Sequence, residues 1–190
     1  MHLLTDKARA AEHAKYNRAY ALNPNYRMKK ERLADAVNDL RALPCRHSYL
    51  DVSCGRGEML LEAKKLGFSL VTGTEIVADL LRPNVFYSEV HDIRLVTNFA
   101  EVVTMFDVIE HLIPGDDELA CRELARVASK HVLLTANNKP SFNKAGDDLH
   151  INKRPYAEWD RLFRAWFAPA KVTWIRGKRS YVSEAWRVDL

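Results

Sequence analysis

No stretch of the 190 residues approaches the length of an apolar membrane-spanning run, so a transmembrane helix is not expected. Near the N-terminus stand Asp6 and Glu12 with no apolar h-region, which does not read as a secretory signal. Cysteine is scarce. Cys45, Cys54 and Cys121 are odd in number and lack Cys-x-x-Cys spacing, which speaks against a disulfide framework and against a zinc cluster. Internal repeats and low-complexity tracts are missing. What remains, 47% hydrophobic and 28% charged, reads as one globular domain with reduced thiols, a sizeable core and a cytoplasmic address by default.

The net charge of +4 is unevenly spread. Residues 1–47 carry 10 Lys and Arg against 5 Asp and Glu, residues 48–138 carry 8 against 14, and residues 139–190 carry 11 against 6. If the two basic ends gather at the mouth of a site, they would draw an anionic partner, nucleic acid included. If they do not, they are solvated faces.

The chain is organised around Asp51-Val52-Ser53-Cys54-Gly55-Arg56-Gly57. An apolar run ends at Asp51, the following residues form a tight loop, and Glu58 opens a helical pattern. Gly55 and Gly57 let the backbone bend and let a ligand lie against bare peptide, while amides at the start of the helix point into the same space. A dinucleotide fingerprint would need a third glycine where Leu60 stands, and a P-loop would need a Lys-Ser/Thr pair that is missing.

The stretch resembles instead motif I of the class I S-adenosylmethionine-dependent methyltransferases, an acidic residue followed by Gly-x-Gly-x-Gly, with Ser53 at the first glycine. The resemblance implies S-adenosyl-L-methionine as cofactor, with Asp51, Ser53, Cys54, Gly55 and Gly57 around it. A second match is Phe106-Asp107-Val108-Ile109-Glu110-His111, similar to the F-D-x-x-E-H segment of methyltransferases acting on small molecules and on some RNAs. The Asn-Pro-Pro-Tyr tetrapeptide of many amino-group methyltransferases is absent, which favours an oxygen acceptor over an exocyclic nitrogen.

Helices are expected over 5–21 and, with Leu33, Val37 and Leu40 at helical spacing, ahead of Pro44. Preceding the first strand, this segment (1–44) is expected as a lid that turns Tyr16, Tyr20, Tyr26 and Arg27 toward a ligand, with 45–190 as the methyltransferase domain. Asn23-Pro24-Asn25-Tyr26-Arg27 is also similar to the segment of ubiquinone-pathway O-methyltransferases whose arginine holds the methionine carboxylate, a group suited to a guanidinium fork. A helix with Met59, Ala63 and Leu66 on one face ends at Gly67. A strand over 69–74 brings Glu75, followed by Ile76, to its end, where a doubly wound fold keeps a carboxylate for the ribose hydroxyls. A third strand over 85–90 leads to Asp92 and Ile93, which resemble the pair that contacts the adenine amino group and ring. The fourth strand, 101–107, ends at Asp107, a further cofactor contact.

A helix from Asp116, buried through Ala120, Leu124, Val127 and Ala128, precedes a strand over 131–136. The polar segment 139–154 is long for a loop without a task and contains His150. After Pro155 comes a helix whose stripe of Tyr156, Trp159, Phe163 and Trp166 reads as core, then a hairpin: a strand over 172–175, a turn at Gly177 and Lys178, and a strand over 181–188. The resemblance implies a three-layer α/β Rossmann-like doubly wound sheet, order 3-2-1-4-5-7-6, with the seventh strand antiparallel. It implies transfer of the sulfonium methyl group to an acceptor that the sequence leaves unidentified, as it does the oligomeric state. His111 and His150 are the candidate bases. Asp107, Glu110, His111 and His150 are similar to the set that binds a divalent ion in small-RNA terminal ribose methyltransferases, but the Glu-His pair also occurs in relatives where it only caps and packs a helix, and no metal is assigned. The competing function is a methyltransferase-like subunit that binds the cofactor without using it.

Overall fold

The apolar runs between turn residues become strands, and their pairing brings the loops that follow them to one edge. The computed structural model describes residues 2–176 and 183–190. Its strands are β1 (Ser48–Val52), β2 (Leu70–Glu75), β3 (Val85–Tyr87), β4 (Ala100–Met105), β5 (Ala128–Ala136), β6 (Lys171–Ile175) and β7 (Glu184–Asp189). They form one sheet in the order β3-β2-β1-β4-β5-β7-β6. β1 to β5 pair in parallel, and β7 runs antiparallel to both its neighbours. The expected turn at Gly177 and Lys178, and Tyr181 and Val182 of the expected last strand, lie outside the described residues.

Among the described residues five α-helices accompany the sheet: α1 (His2–Leu22), α2 (Lys30–Arg41), α3 (Glu58–Lys65), α4 (Asp116–Val127) and α5 (Tyr156–Trp166). Because alternate strand residues point to opposite faces, neighbours along β1, β4 and β5 feed two separate cores. Tyr49, Val102 and Leu133 pack with Leu40 of α2 and with Met59 and Ala63 of α3. Leu50, Val103 and Leu134 pack with Leu124 of α4 and with Trp159 and Phe163 of α5. The aromatic stripe of α5 is core as expected: Trp159 and Phe163 are fully buried and stack with centroids 5.4 Å apart, and Trp186 of β7 meets Phe163 edge-on. α2 is thus built into a sheet layer, whereas α1 lies across the strand ends. Among the described residues no helix is long and apolar enough to cross a membrane.

Several boundaries differ from expectation, among them the fourth strand, which runs from Ala100 to Met105 and leaves Asp107 two residues past its end. The third strand stops at Tyr87 rather than residue 90, because β3 is an edge strand paired only with β2 and the chain turns inward at Ser88, whose hydroxyl donates to the Asp92 carbonyl and accepts from the Arg94 amide. Ala128 is buried, but as the first residue of β5, where it pairs with Ala100, and not in the last turn of α4.

Candidate functional site

Loops from the C-terminal ends of β1, β2, β4 and β5 enclose a cavity of about 630 Å³, roofed by α1. This is the crevice a doubly wound sheet opens where its strand order reverses, here between β1 and β4. The glycine loop forms its floor. Gly55 and Gly57 have φ of +53° and +82°, and Ser53 takes the same left-handed region at +57°. A residue with a Cβ gives up about 1 kcal/mol or more in that region, so this site suits glycine, and serine occupies it at a cost. At Gly55 a Cβ would stand 2.7 Å from the Tyr20 hydroxyl of α1, so backbone and lid both require glycine. Cys54 lines the cavity, but burial pushes its thiol far above the ordinary range, which leaves it inert as a nucleophile.

Glu75 is buried and organises the loop. Its Oε2 accepts the Gly55 amide at 2.8 Å, and its Oε1 accepts the amides of Ile76 at 2.8 Å and Val77 at 3.2 Å. A carboxylate offers about four acceptor positions, so with Gly55 bound one remains, on Oε2. Burial raises the Glu75 pKa and the three amides pull it back. Asp51 is also buried, and its Oδ1 accepts the Thr104 hydroxyl at 2.7 Å. With that proton committed, the 2.6 Å contact between Tyr49 and Thr104 must be donated by the tyrosine, giving a relay from Tyr49 through Thr104 to Asp51. Burial pushes the Asp51 carboxyl up to about 7, against the Thr104 hydrogen bond.

Tyr16, Tyr20, Tyr26 and Arg27 all line the cavity. Arg27 is exposed at the rim, where it donates to Asn25 at 3.1 Å. Asp107 lines the cavity with φ +54°, and its carboxylate is held by Arg32 at 2.9 Å and by the Ser183 hydroxyl at 2.7 Å. Ile76 lines it as well.

Asp92 and Ile93 are not brought there. The Asp92 side chain is 66% exposed and faces Arg94, and Ile93 is buried in the core between the sheet and α4. The early turn at Ser88 moves this pair past the crevice and presents Glu89, Val90 and His91 to it instead.

Two further contacts were not among the expected site residues. Arg32 reaches Asp107 across the fold, and nothing local marks it. Gly73, inside β2, did carry a signal, since a glycine within a strand marks close approach: a Cβ there would meet the Cys54 sulfur at 2.7 Å.

The cavity is also lined by the two histidines, with ring centroids 4.6 Å apart and edge to face. His111 Nδ1 lies 2.7 Å from the Leu149 carbonyl and 2.6 Å from the Tyr16 hydroxyl, and His150 Nδ1 lies 2.5 Å from the Lys139 carbonyl. A carbonyl only accepts, so both Nδ1 atoms carry protons, and among the described residues neither Nε2 lone pair meets a hydrogen-bond donor. Burial, with His150 alongside, pushes the His111 pKa down to about 3, and burial lowers that of His150. Behind them Glu110 is fully buried with neither carboxylate oxygen in a well-formed hydrogen bond among the described residues, and burial, with Asp107 alongside, holds its pKa well above the usual range against the nearby amides of Glu110 and Asn137. Potential ligand atoms of Glu110, His111 and His150 lie within 4.8 Å of one another.

A glycine loop, a carboxylate at the end of β2 and paired imidazoles beside the crevice are the parts of a group-transfer enzyme built on a nucleoside-binding sheet. The chain belongs to the methyltransferase domain family, which matches residues 25–187, and its fold is that of the class I S-adenosylmethionine-dependent methyltransferases. No curated protein matches it. Among similar solved structures, the 1,6-didemethyltoxoflavin-N1-methyltransferase of Burkholderia thailandensis, with 1,6-didemethyltoxoflavin and S-adenosylhomocysteine bound, is 13% identical. It superposes with a TM-score of 0.73 over 97% of this chain and 89% of that one. The methyltransferase domain of bacterial-CtHen1-CN is 17% identical, TM-score 0.64, over 85% of this chain and 98% of that one. Magnesium protoporphyrin IX methyltransferase from Synechocystis PCC 6803, with bound SAM, is 13% identical, TM-score 0.58, over 98% and 95%. At these identities the likeness is one of fold.

Proposed function

We propose that this protein transfers the methyl group of S-adenosyl-L-methionine to a hydroxyl of an anionic acceptor, with His150 as the base. The residues present fit the cofactor: bare backbone at Gly55 and Gly57, a rim guanidinium in Arg27 for the carboxylate, and on Glu75 an acceptor position for one ribose hydroxyl, with Ile76 beside it. A second ribose bond would require the Gly55 amide to turn away. Bound there, the cofactor supplies an electrophilic methyl group, and this chain's residues supply alignment, exclusion of water and a place for the acceptor's proton.

The observation that carries the reading is the Nε2 lone pair on each imbedded imidazole, without a donor among the described residues and fixed by carbonyl contacts at Nδ1. Of the two, His111 is too poor a base to hold a proton near neutrality, so it stays a neutral partner, and His150 receives the proton. Exposed Lys30 and Lys139 at the cavity favour an anionic acceptor, nucleic acid among them. The test is release of S-adenosylhomocysteine from separate pools of nucleic acids and of small phenols and acids. His150→Ala is expected to lower turnover about 100-fold, within the usual range for loss of a general base, with cofactor binding by calorimetry unchanged. Full turnover in that variant removes His150 from the reaction. Cofactor binding with no transfer to any pool would make the protein a binding subunit.

A second reading, with a divalent cation at the histidines, rests on Glu110. Among the described residues its oxygens make no well-formed hydrogen bond, and they lie beside two imidazoles whose Nδ1–H groups are oriented by carbonyls, the arrangement that directs metal-binding histidines. A cation held by Glu110, His111 and His150 would lower the pKa of an acceptor hydroxyl. Millimolar Mn²⁺ or Mg²⁺ is then expected to raise the melting temperature of the wild type and not of Glu110→Gln, the amide being an isostere of the neutral acid. At a hundredfold excess over Kd the stabilisation is about 2.7 kcal/mol. Equal melting curves with and without the ions would exclude this reading.

A further inference from the structure

The histidine that takes the proton is carried by the segment 139–154, and that segment is gripped from above. Three residues of α1 reach three successive residues of it. Lys15, whose ammonium is also 2.6 Å from Glu12, donates to the Asp148 carbonyl at 2.9 Å. The Tyr16 hydroxyl stands 3.4 Å from the Leu149 carbonyl and 2.6 Å from His111 Nδ1, and its ring meets His111 edge-on. Arg18 pairs with Asp147 at 3.4 Å. The next residue is His150, whose own amide donates to Asp148 at 3.0 Å. Lys15 is buried and Tyr16 half-buried, and the contacts of both run to the protein.

The same carbonyl, Leu149 O, therefore fixes His111 and is contacted by Tyr16, and the carbonyl before it is fixed by Lys15. Without α1 the segment 147–149 keeps its internal bonds, Asn143 to Asp147 at 2.7 Å and the Leu149 amide to the Ser141 carbonyl at 2.7 Å, but loses what sets its height above the histidines.

We infer that α1 is a clasp that seats the histidine pair, and that Lys15 and Tyr16 are positioning residues for methyl transfer. Resting on the proposed role of His150, the inference extends the site to residues that touch neither cofactor loop nor acceptor proton. Lys15 acts through the Asp148 carbonyl, and Tyr16 acts on His111 directly and through the Leu149 carbonyl. The reaction step they serve is unchanged: the acceptor oxygen forms its bond to the methyl carbon, the bond from that carbon to the cofactor sulfur breaks with its electron pair, and the acceptor proton passes to His150 Nε2.

The experiment uses the full chain with Lys15→Met, which keeps the length and removes the ammonium, and Tyr16→Phe, singly and together. Imidazole ¹H–¹⁵N spectra report the tautomer of each histidine, and calorimetry reports cofactor binding. In the wild type both histidines are expected in the single Nδ1–H form. In the double variant the His111 and His150 signals are expected to average between tautomers, and kcat to fall 10-fold to 100-fold, with the cofactor Kd within threefold. Tyr20→Phe, one turn further along α1 and touching neither histidine, is the control and is expected to keep both tautomers. The inference is overturned if the double variant retains wild-type imidazole spectra, or if Tyr20→Phe disturbs them equally, since loosening of the helix would then be the whole effect. If the wild type transfers no methyl group at all, the proposed function fails while the spectra still decide this inference.

Discussion

Glu75→Ala is expected to abolish measurable cofactor binding and to lower the melting temperature in the same protein. The carboxylate is the acceptor for the amides of Gly55, Ile76 and Val77, two of them in fully buried bonds. Each buried donor left without a partner costs about 1–3 kcal/mol, and water entering the space of the lost side chain recovers part of that. A net loss of about 3 kcal/mol in a domain of this size corresponds to roughly 10 °C in melting temperature. Glu75→Gln separates the two roles. Its carbonyl oxygen still serves Ile76 and Val77, but its amino group faces the Gly55 amide, donor against donor. The fold is therefore expected to keep most of its stability while the glycine loop opens and cofactor affinity falls at least tenfold. Calorimetry and thermal melts on both variants check this, and a Glu75→Gln protein that binds as the wild type does would remove Glu75 from the cofactor site.

Asp51→Asn is expected to stabilise the protein at pH 8 and to weaken cofactor binding there. The carboxyl is raised from its ordinary 3.8 to about 7 because burial disfavours the charge. Between those values the unfolded chain has released a proton that the folded chain still holds. The contribution of Asp51 to stability is therefore fully present below about pH 4 and is lost as pH rises through 7. A shift of about three units is on the order of 4 kcal/mol, so the melting temperature of Asp51→Asn should exceed that of the wild type at pH 8 and match it near pH 4. Thr104 keeps its acceptor in the amide oxygen, which leaves the Tyr49 relay intact. The cationic cofactor prefers the ionised carboxylate, so wild-type affinity should rise as pH passes 7, and the affinity of the asparagine variant should be lower and flat. Matching pH profiles in the two proteins would contradict the assignment.

Where the chemistry is local, the sequence makes it readable. Asp51, the loop after it and Glu75 are each set by a strand end and a turn, and the structure places them around one crevice because two adjacent parallel strands end there. The same reasoning fails at Asp92 and Ile93. They follow an edge strand, and its length is set by a single neighbour and by the hydroxyl of Ser88, not by a periodic pattern. The length of 139–154 singled out His150, yet the carbonyls that orient it and His111 come from Lys139 and Leu149, which no side-chain pattern can announce. Arg32 is likewise invisible, because its pairing with Asp107 joins α2 to the end of β4 across 75 residues of chain.

The sheet order also has a bearing on whether a foreign strand can add itself to either edge. One margin of the sheet is β3, only three residues long, with Phe86 and Tyr87 outward. Such a stub offers a foreign strand too few rungs to add itself, the means by which short edges hold off polymerisation. The opposite margin, β6, has five residues and ends beside Arg176, whose guanidinium lies 4.0 Å above the Trp174 ring. A charge at that end discourages a second copy from extending the ladder there.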